Sequence, residues 1–376
     1  MGERGTKASK ILQGSFLVYT MKIITILGAR PQFIKAAALS HALKAHKLIN
    51  EVIVHTGQHF DENMSKIFFD QLKIPKPHYK LDSGGMNHGA MTAYQLAEIE
   101  KILQKELPNY VVLYGDTNST LSGALAASKL QIPIIHIEAG LRSFNMNMPE
   151  EINRIITDRL SKFLFCPSKA AKENLMREGY RNFDSEIHVV GDIMLDTIKL
   201  FIENLEIIKP FEEPYIVCTI HRQENTDEIG RLSQIIEGLN EIAKTSKIIF
   251  PMHPRTKNII RNQKILLNKN LIVTKPMSYI NFLSHIKYCD LVITDSGGLQ
   301  KESYFMKKNC LVIREETEWN ELTFHNFNKL CGVSKEEILQ NYNDRFKLNN
   351  KFDLPLYGDG NTADQIIKIL SNRFND

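Results

Sequence analysis

The feature that most constrains this chain is a repeated alternation: short β-branched runs, each followed by a stretch with apolar residues at helical spacing. The runs predict strands at Lys22–Leu27, Glu51–His55, Tyr110–Tyr114, Ile132–Ile137, Phe163–Phe165 and Ile187–Val190. A second series follows at Tyr215–Thr219, Lys247–Phe250, Leu271–Thr274, Leu291–Thr294 and Cys310–Ile313. Between them, Ile34, Ala38, Leu39 and Leu43, and later Ile99, Ile102 and Leu103, fall on single helical faces. Such βαβ units build a parallel, doubly wound sheet, so the expected class is α/β. Strands that are apolar throughout, rather than alternating, belong to sheets covered on both faces.

At 376 residues the chain has room for two such domains. The polar, twice-proline stretch Lys209-Pro210-Phe211-Glu212-Glu213-Pro214, following a helical run from Asp196, marks the connection. The expected domains are therefore 21–195 and 196–360, with a last amphipathic helix, Ala363–Phe374, in 361–376. Ser334–Leu354, rich in Asn, Lys and Asp, reads as irregular. Met1-Gly2 with Thr6 matches the myristoylation pattern, but so short a pattern recurs by chance. Because Met21 opens a clean strand, residues 1–20 read as an upstream extension; their apolar stretch is interrupted at Gln13-Gly14-Ser15, unlike a secretory signal.

Composition excludes several function classes. Hydrophobic residues make up 43% and charged residues 24%, an ordinary globular mix, which excludes a disordered or collagen-like chain. The net charge of +4 leaves no electrostatic footprint for nucleic acid, though a local basic pocket for an anionic small molecule stays open. No apolar run is long enough to span a membrane. Cys166, Cys218, Cys289, Cys310 and Cys331 form no CxxC pair and sit in apolar runs. They read as free buried thiols of a cytoplasmic protein, implying neither zinc nor disulfides.

In an open parallel sheet, ligands bind beyond the carboxyl ends of the strands. Those ends carry Gly28-Ala29-Arg30-Pro31-Gln32, Thr56-Gly57-Gln58-His59, Gly115-Asp116-Thr117 and Glu138-Ala139-Gly140-Leu141-Arg142. In the second half they carry His221-Arg222, His253-Pro254-Arg255 and Asp295-Ser296-Gly297-Gly298. Capping alone would favour Ser and Asn over this recurrence of His, Arg and Glu. Asp295–Gly298 is the strongest anion site, since glycines admit close approach and a helix from Leu299 offers free amides. Glu302, one turn inside, is placed to meet a ribose hydroxyl. The plain alternative is a glycine turn that only connects strand to helix. The segment is neither GxGxxG nor a Walker loop, which disfavours dinucleotides and ATP. Arg30 and Lys35 put two cations at another helix start, suited to a pyrophosphate, against the alternative of solvated surface charges. Asp116, Glu138 and Glu150 are acid/base candidates. Helix capping competes for Asp116 and for Glu150, in the first turn after Pro149. His221 is suited to a phosphate or a proton, against a structural role.

As a set, these motifs resemble the non-hydrolysing UDP-N-acetylglucosamine 2-epimerases and relatives acting on similar UDP-2-acetamido sugars. The resemblance runs through Gly28–Lys35, His55–His59, Gly115–Thr117, His136–Arg142, Pro149–Arg154, His221–Asn225, Thr294–Glu302 and Tyr357–Gly360, in the family's order from Met21 onward. It implies two Rossmann-like domains facing a cleft, the glycosyltransferase-B architecture, with the last helix returning to the first domain. It also implies a homodimer, a UDP-sugar substrate, no nicotinamide or other cofactor, and no metal. The implied reaction inverts C2 by anti elimination of UDP to a 2-acetamidoglucal and re-addition on the other face. By position, Asp116, Glu138, Glu150 and His221 match acid/base residues. Arg30, Lys35, Phe282, Ser296, Gly297, Gly298 and Glu302 match substrate-binding residues. Gln58, His59, Arg222 and His253 match positions where some members bind a second UDP-sugar as activator.

Two departures bear on the sugar. Many members that act on UDP-N-acetylglucosamine carry Thr-Arg-Pro-Glu in the first loop, where this chain has Ala29-Arg30-Pro31-Gln32, and an arginine where it has Trp319. Both forms look more like the branch that epimerises UDP-2,3-diacetamido-glucuronate. The expectation is UDP-N-acetylglucosamine 2-epimerase activity, with that second sugar as the alternative. A hydrolysing epimerase, a glycosyltransferase of the same fold and a non-catalytic UDP-sugar sensor are the readings from other classes.

Overall fold

The computed structural model describes the chain except residues 1–8, 14–15, 47, 59–71, 73, 205–207 and 374–376. The chain divides into two compact units, one running through Leu200 and resuming at Pro355, the other Phe201–Leu354.

The first unit is built on strands β1 (Ser9–Gln13), β2 (Phe16–Leu27), β3 (Ile49–His55), β4 (Tyr79–Lys80), β5 (Tyr110–Tyr114), β6 (Ile134–Ile137), β7 (Phe163–Cys166) and β8 (Glu186–Val189). Their order is β4-β3-β2-β5-β6-β7-β8, with parallel neighbours throughout, and β1 pairs antiparallel with the start of β2. The second unit holds β9 (Tyr215–Thr219), β10 (Lys247–Pro251), β11 (Leu271–Thr274), β12 (Leu291–Thr294), β13 (Cys310–Val312) and β14 (Asn328–Leu330), all parallel, in the order β11-β10-β9-β12-β13-β14. In both, the chain works outward on one side and then returns to the middle to continue on the other. This is the Rossmann strand order, and it opens a crevice at the strand ends where the direction reverses. The reversals lie between β2 and β5 and between β9 and β12.

The alternation has its physical counterpart in the cores. Ile24, Ile26, Val54, Val111 and Leu113 are covered by Ile99, Leu103, Ala124 and Ala127. In the second unit, Ile216, Cys218, Ile248, Phe250 and Ile293 pack with Leu232, Ile235 and Leu239. Each large apolar side chain among these contributes about 1.5–3 kcal/mol by leaving water. The five cysteines are buried free thiols.

The structure also corrects the sequence reading in places. The first strand begins at Phe16 and pairs with β1, so residues 9–13 and 16–20 extend the sheet. β6 begins at Ile134 because Pro133 has no N–H to give the ladder. Helix Lys335–Asn343 lies inside the stretch expected to be irregular: Ser334 caps it, and Ile338 and Tyr342, one turn apart, are buried against helix Ile229–Ile242. Its polar composition reflects the exposed remainder. The last helix, Thr362–Asn372, packs on helix Arg30–Ala45 of the first unit, and the Asp196 carboxylate accepts from the Ala363 amide at 2.8 Å. Among the described residues, no helix is long and apolar enough to cross a membrane.

Candidate functional site

In the first unit, the loop after β2 is locked from within. Buried Gln32 accepts from the amides of Gly28 and Ala29 at 2.8 and 3.0 Å, and its own amide donates to the Tyr114 carbonyl and to Thr120 Oγ1, both at 3.0 Å. A glutamate carboxylate has no N–H to donate to the Tyr114 carbonyl and Thr120 together, so the Gln form of this loop ties β2 to β5. Arg30 opens the helix half-buried, and one turn on, Lys35 is buried rather than solvated. Its ammonium is ion-paired with the Glu138 carboxylate, also buried.

Glu138 follows β6 with a φ of +74°, in the left-handed region that a residue with a Cβ enters at a cost of about 1–3 kcal/mol. Its amide and that of Ala139 both donate to the Phe165 carbonyl, at 3.0 and 3.1 Å. Directly beneath lies Gly115, with φ +60°; a Cβ there would stand 3.1 Å from the Glu138 carboxylate and 3.2 Å from the Lys35 ammonium. The next residue, Asp116, is bound by Arg154 at 2.5 Å, while Thr117 caps the following helix through the Thr120 amide. Capping therefore falls to Thr117 and leaves the Asp116 carboxylate to Arg154. Glu150 is exposed in the first turn of helix Pro149–Leu160. Its neighbour Glu151 is buried and holds the Ser143 and Phe144 amides, each at 2.9 Å. Gln58, after β3, accepts from the Ser119 amide and hydroxyl at 3.1 and 2.8 Å. His59 lies outside the described residues.

The second unit repeats the arrangement with an imidazole. Asp295, fully buried after β12, accepts from the His221 amide at 2.9 Å, the Arg222 amide at 2.9 Å and the Asn225 amide group at 3.2 Å. It also contacts His221 Nδ1 at 3.1 Å, leaving that ring about half exposed. Burial alone pushes the Asp295 carboxyl up, but the bonded His221 ring and the two amides outweigh it and hold it below the ordinary carboxylate value. His253 caps helix Pro254–Asn262, and partial desolvation, then the charges of His221 and Arg255, hold its imidazole low. Ser296 caps helix Gly297–Phe305, which begins at Gly297 rather than Leu299, so the Gly297 and Gly298 amides are those of its first turn. A Cβ on Gly297 would collide with the Glu318 carboxylate, itself paired with Arg314 at 2.9 Å. Glu302 is buried on the same helix, and Phe282 is half-buried on helix Tyr279–Tyr288. Trp319 is buried with the Lys301 ammonium 4.0 Å from its ring centroid. An arginine at 319 would set a second cation against Lys301, whereas the indole face attracts it.

A pH dependence follows from Asp295. Its depressed folded value means that the stability it contributes is complete above about pH 3.9 and is lost as pH falls through the depressed value. The melting temperature of Asp295→Asn should therefore fall less steeply than that of the parent between about pH 4 and pH 2. Parallel slopes in a thermal-unfolding series would refute the assignment.

The structure thus gathers Arg30, Lys35, Asp116 and Glu138 at the reversal point of the first unit, and His221, Arg222, Ser296, Gly297 and Gly298 at that of the second. The sequence reading left the supporting side chains Glu151, Asn153, Arg154, Asp158 and Glu318 without roles, and placed Asp295 only as part of the anion-site segment. A signal for some was present, since Glu151, Arg154 and Asp158 share one helical stripe.

Comparison with known proteins shows the family and the fold. Residues 41–371 match the UDP-N-acetylglucosamine 2-epimerase family. The chain is 47% identical to the UDP-2,3-diacetamido-2,3-dideoxy-D-glucuronate 2-epimerase of Pseudomonas aeruginosa, over 93% of this chain and 99% of that one. It is 41% identical to the UDP-N-acetylglucosamine 2-epimerase of Methanocaldococcus jannaschii, over 93% and 99%. A crystal structure of the Methanocaldococcus jannaschii UDP-GlcNAc 2-epimerase in complex with UDP-GlcNAc and UDP superposes with a TM-score of 0.86 at 40% identity, covering 94% of this chain and all of that one. With a family model matched over residues 41–371 and relatives at 41–47% identity over 93% of its length, the chain belongs to the UDP-N-acetylglucosamine 2-epimerase family.

Proposed function

We propose that the protein interconverts UDP-N-acetylglucosamine and UDP-N-acetylmannosamine by eliminating UDP across C1–C2 and adding it back on the opposite face. The observation that carries the reading is Glu138: a carboxylate held buried beside a cation, on a strained backbone, at the strand edge that also presents Asp116. A C2 proton beside an acetamido group is a poor acid, so a base must take it while the C1–O bond breaks. The C2–H electron pair becomes the C1=C2 bond, and the C1–O pair leaves with UDP. Carboxylates serve such a step twice, stabilising oxocarbenium character and accepting the proton, as in glycoside hydrolysis. Inversion needs proton exchange on both faces of C2, which calls for more than one acid/base group: Asp116, Glu138, Glu150 and His221. Charge developing on UDP is met by Arg30, Lys35 and the amides after Ser296. Phe282 and Glu302 are assigned to the nucleotide, and Gln58, Arg222 and His253 are each assigned to an activating second UDP-sugar by position, as is His59, which lies outside the described residues. The reading includes a homodimer acting in the cytoplasm, the latter in keeping with five buried free thiols.

A second substrate, UDP-2,3-diacetamido-glucuronate, is favoured by specific observations: the 47% identity to the Pseudomonas aeruginosa enzyme that bears that name, and Trp319 over Lys301. Incubation with each sugar in heavy water, followed at C2 by NMR, tests both. Deuterium at C2 of the intact UDP-sugar is expected, and the faster-exchanging sugar is the substrate. Release of free sugar, or of UDP only with an acceptor, would overturn the reading in favour of hydrolysis or glycosyl transfer.

A further inference from the structure

Helix Pro149–Leu160 is inside out. Its buried residues are Glu151, Asn153, Arg154, Thr157 and Asp158, while Ile152 is exposed. Burying ionic side chains is costly unless each is paired and hydrogen-bonded, so such a face persists only where every group has a partner to hold. Glu151, Arg154 and Asp158 stand at i, i+3 and i+7, and each reaches a different loop at the sheet edge. Glu151 holds the Ser143–Phe144 amides and Arg154 holds the Asp116 carboxylate.

Asp158 is the most heavily used. One oxygen meets His136 Nδ1 at 2.6 Å; the other accepts from the Gly140 amide at 3.1 Å and from Arg142 Nη1 at 2.7 Å. The far nitrogen of His136 donates to the Gly115 carbonyl at 2.8 Å. Both His136 and Asp158 are fully buried. Gly115 directly precedes Asp116, and Gly140 closes the turn that Glu138 opens. One carboxylate therefore reaches both loops that carry Glu138 and Asp116, beside the Gly115 amide bond to the Ile137 carbonyl and the Glu138 and Ala139 amide bonds to the Phe165 carbonyl.

We propose that Asp158, in part through His136, is the positioning residue for Asp116 and Glu138, fixing the first turn through the Gly115 carbonyl and the second through the Gly140 amide. The inference rests on the epimerase reading and deepens it. A displacement of about an ångström at a reacting group is worth roughly a hundredfold in rate, so the effect should appear in kcat with little change in KM.

The experiment compares Asp158→Asn, His136→Asn, His136→Gln and Glu178→Gln by epimer formation from the UDP-sugar and by thermal unfolding. Glu178 binds the outer side of Arg142 at 2.7 and 2.8 Å and touches neither turn, so it is the control for loss of network stability alone. Asp158→Asn and His136→Asn should lower kcat about a hundredfold with KM within about threefold. His136→Gln, whose amide reaches where the far ring nitrogen stands, should recover kcat roughly tenfold over His136→Asn. Glu178→Gln should lower the melting temperature and leave kcat within about twofold of the parent. Folded Asp158→Asn and His136→Asn variants with parental kcat would overturn the proposal, as would kcat tracking melting temperature across all four variants. If Asp158→Asn fails to fold, the two His136 variants decide. Parental turnover in Asp116→Asn and Glu138→Gln would refute the acid/base reading and this proposal with it. Loss of turnover in those two, with full activity in Asp158→Asn, would refute this proposal alone.

Discussion

Glu138→Gln is expected to abolish turnover, by about a thousandfold or more, with UDP affinity near the parental value. The amide keeps the shape of the carboxylate and can still accept a bond from Lys35, but it has no basic oxygen to take a proton. UDP affinity should stay near the parental value because the Gly297 and Gly298 amides of the second unit are untouched and Lys35, the Glu138 partner also assigned to the UDP charge, keeps its ammonium. Stability should suffer too, because the change removes the negative partner of a buried ammonium. Breaking a buried pair costs about 3–5 kcal/mol, and the surviving hydrogen bond should place this variant at the lower end. Turnover by NMR, UDP affinity by calorimetry and thermal unfolding together check the expectation. Parental turnover in a folded variant would remove Glu138 from the chemistry.

The complementary result concerns the second unit. Gly297→Ala should weaken UDP binding by roughly thirty- to hundredfold while leaving the fold of the first unit unchanged. A Cβ at this position runs into the Glu318 carboxylate, which is anchored by buried Arg314 and cannot simply swing aside. The backbone must shift instead, and the first-turn amides shift with it. A misdirected amide forfeits a charge-assisted bond to phosphate worth about 2–3 kcal/mol. Calorimetric titration with UDP measures the loss. Undiminished affinity would separate the glycine turn from the nucleotide and return it to the role of a connector.

The same pair of residues marks the limit of what the sequence could show. Gly297 stands out in the sequence because a glycine between an apolar strand and a helix lets a ligand approach the backbone closely, but nothing local indicates that the Glu318 carboxylate lies against it. Glu138 is visible as an acid after an apolar strand. That Lys35 is its partner is not, because they are 103 residues apart and meet through the order of β2, β5 and β6 in the sheet. Glu150 and Glu151 make the point at closest range. Both are acids in one helical turn, and a rotation of about 100° exposes the first and buries the second against the Ser143–Phe144 loop.

The amino-acid sequence by itself determined the class of fold, and led to the expectations of two units and of charge at one edge of each sheet. These follow from local periodicity and from which residues end each apolar run, and both are properties of neighbouring positions along the chain. Only the tertiary structure decided which charges are paired, which are exposed and which carboxylate holds others in place. Asp158 with His136 and Gly140, Arg154 with Asp116, and Asp295 with His221 are partnerships across tens of residues. Ionic partners are set by which strands lie side by side, and burial then makes each pairing obligatory.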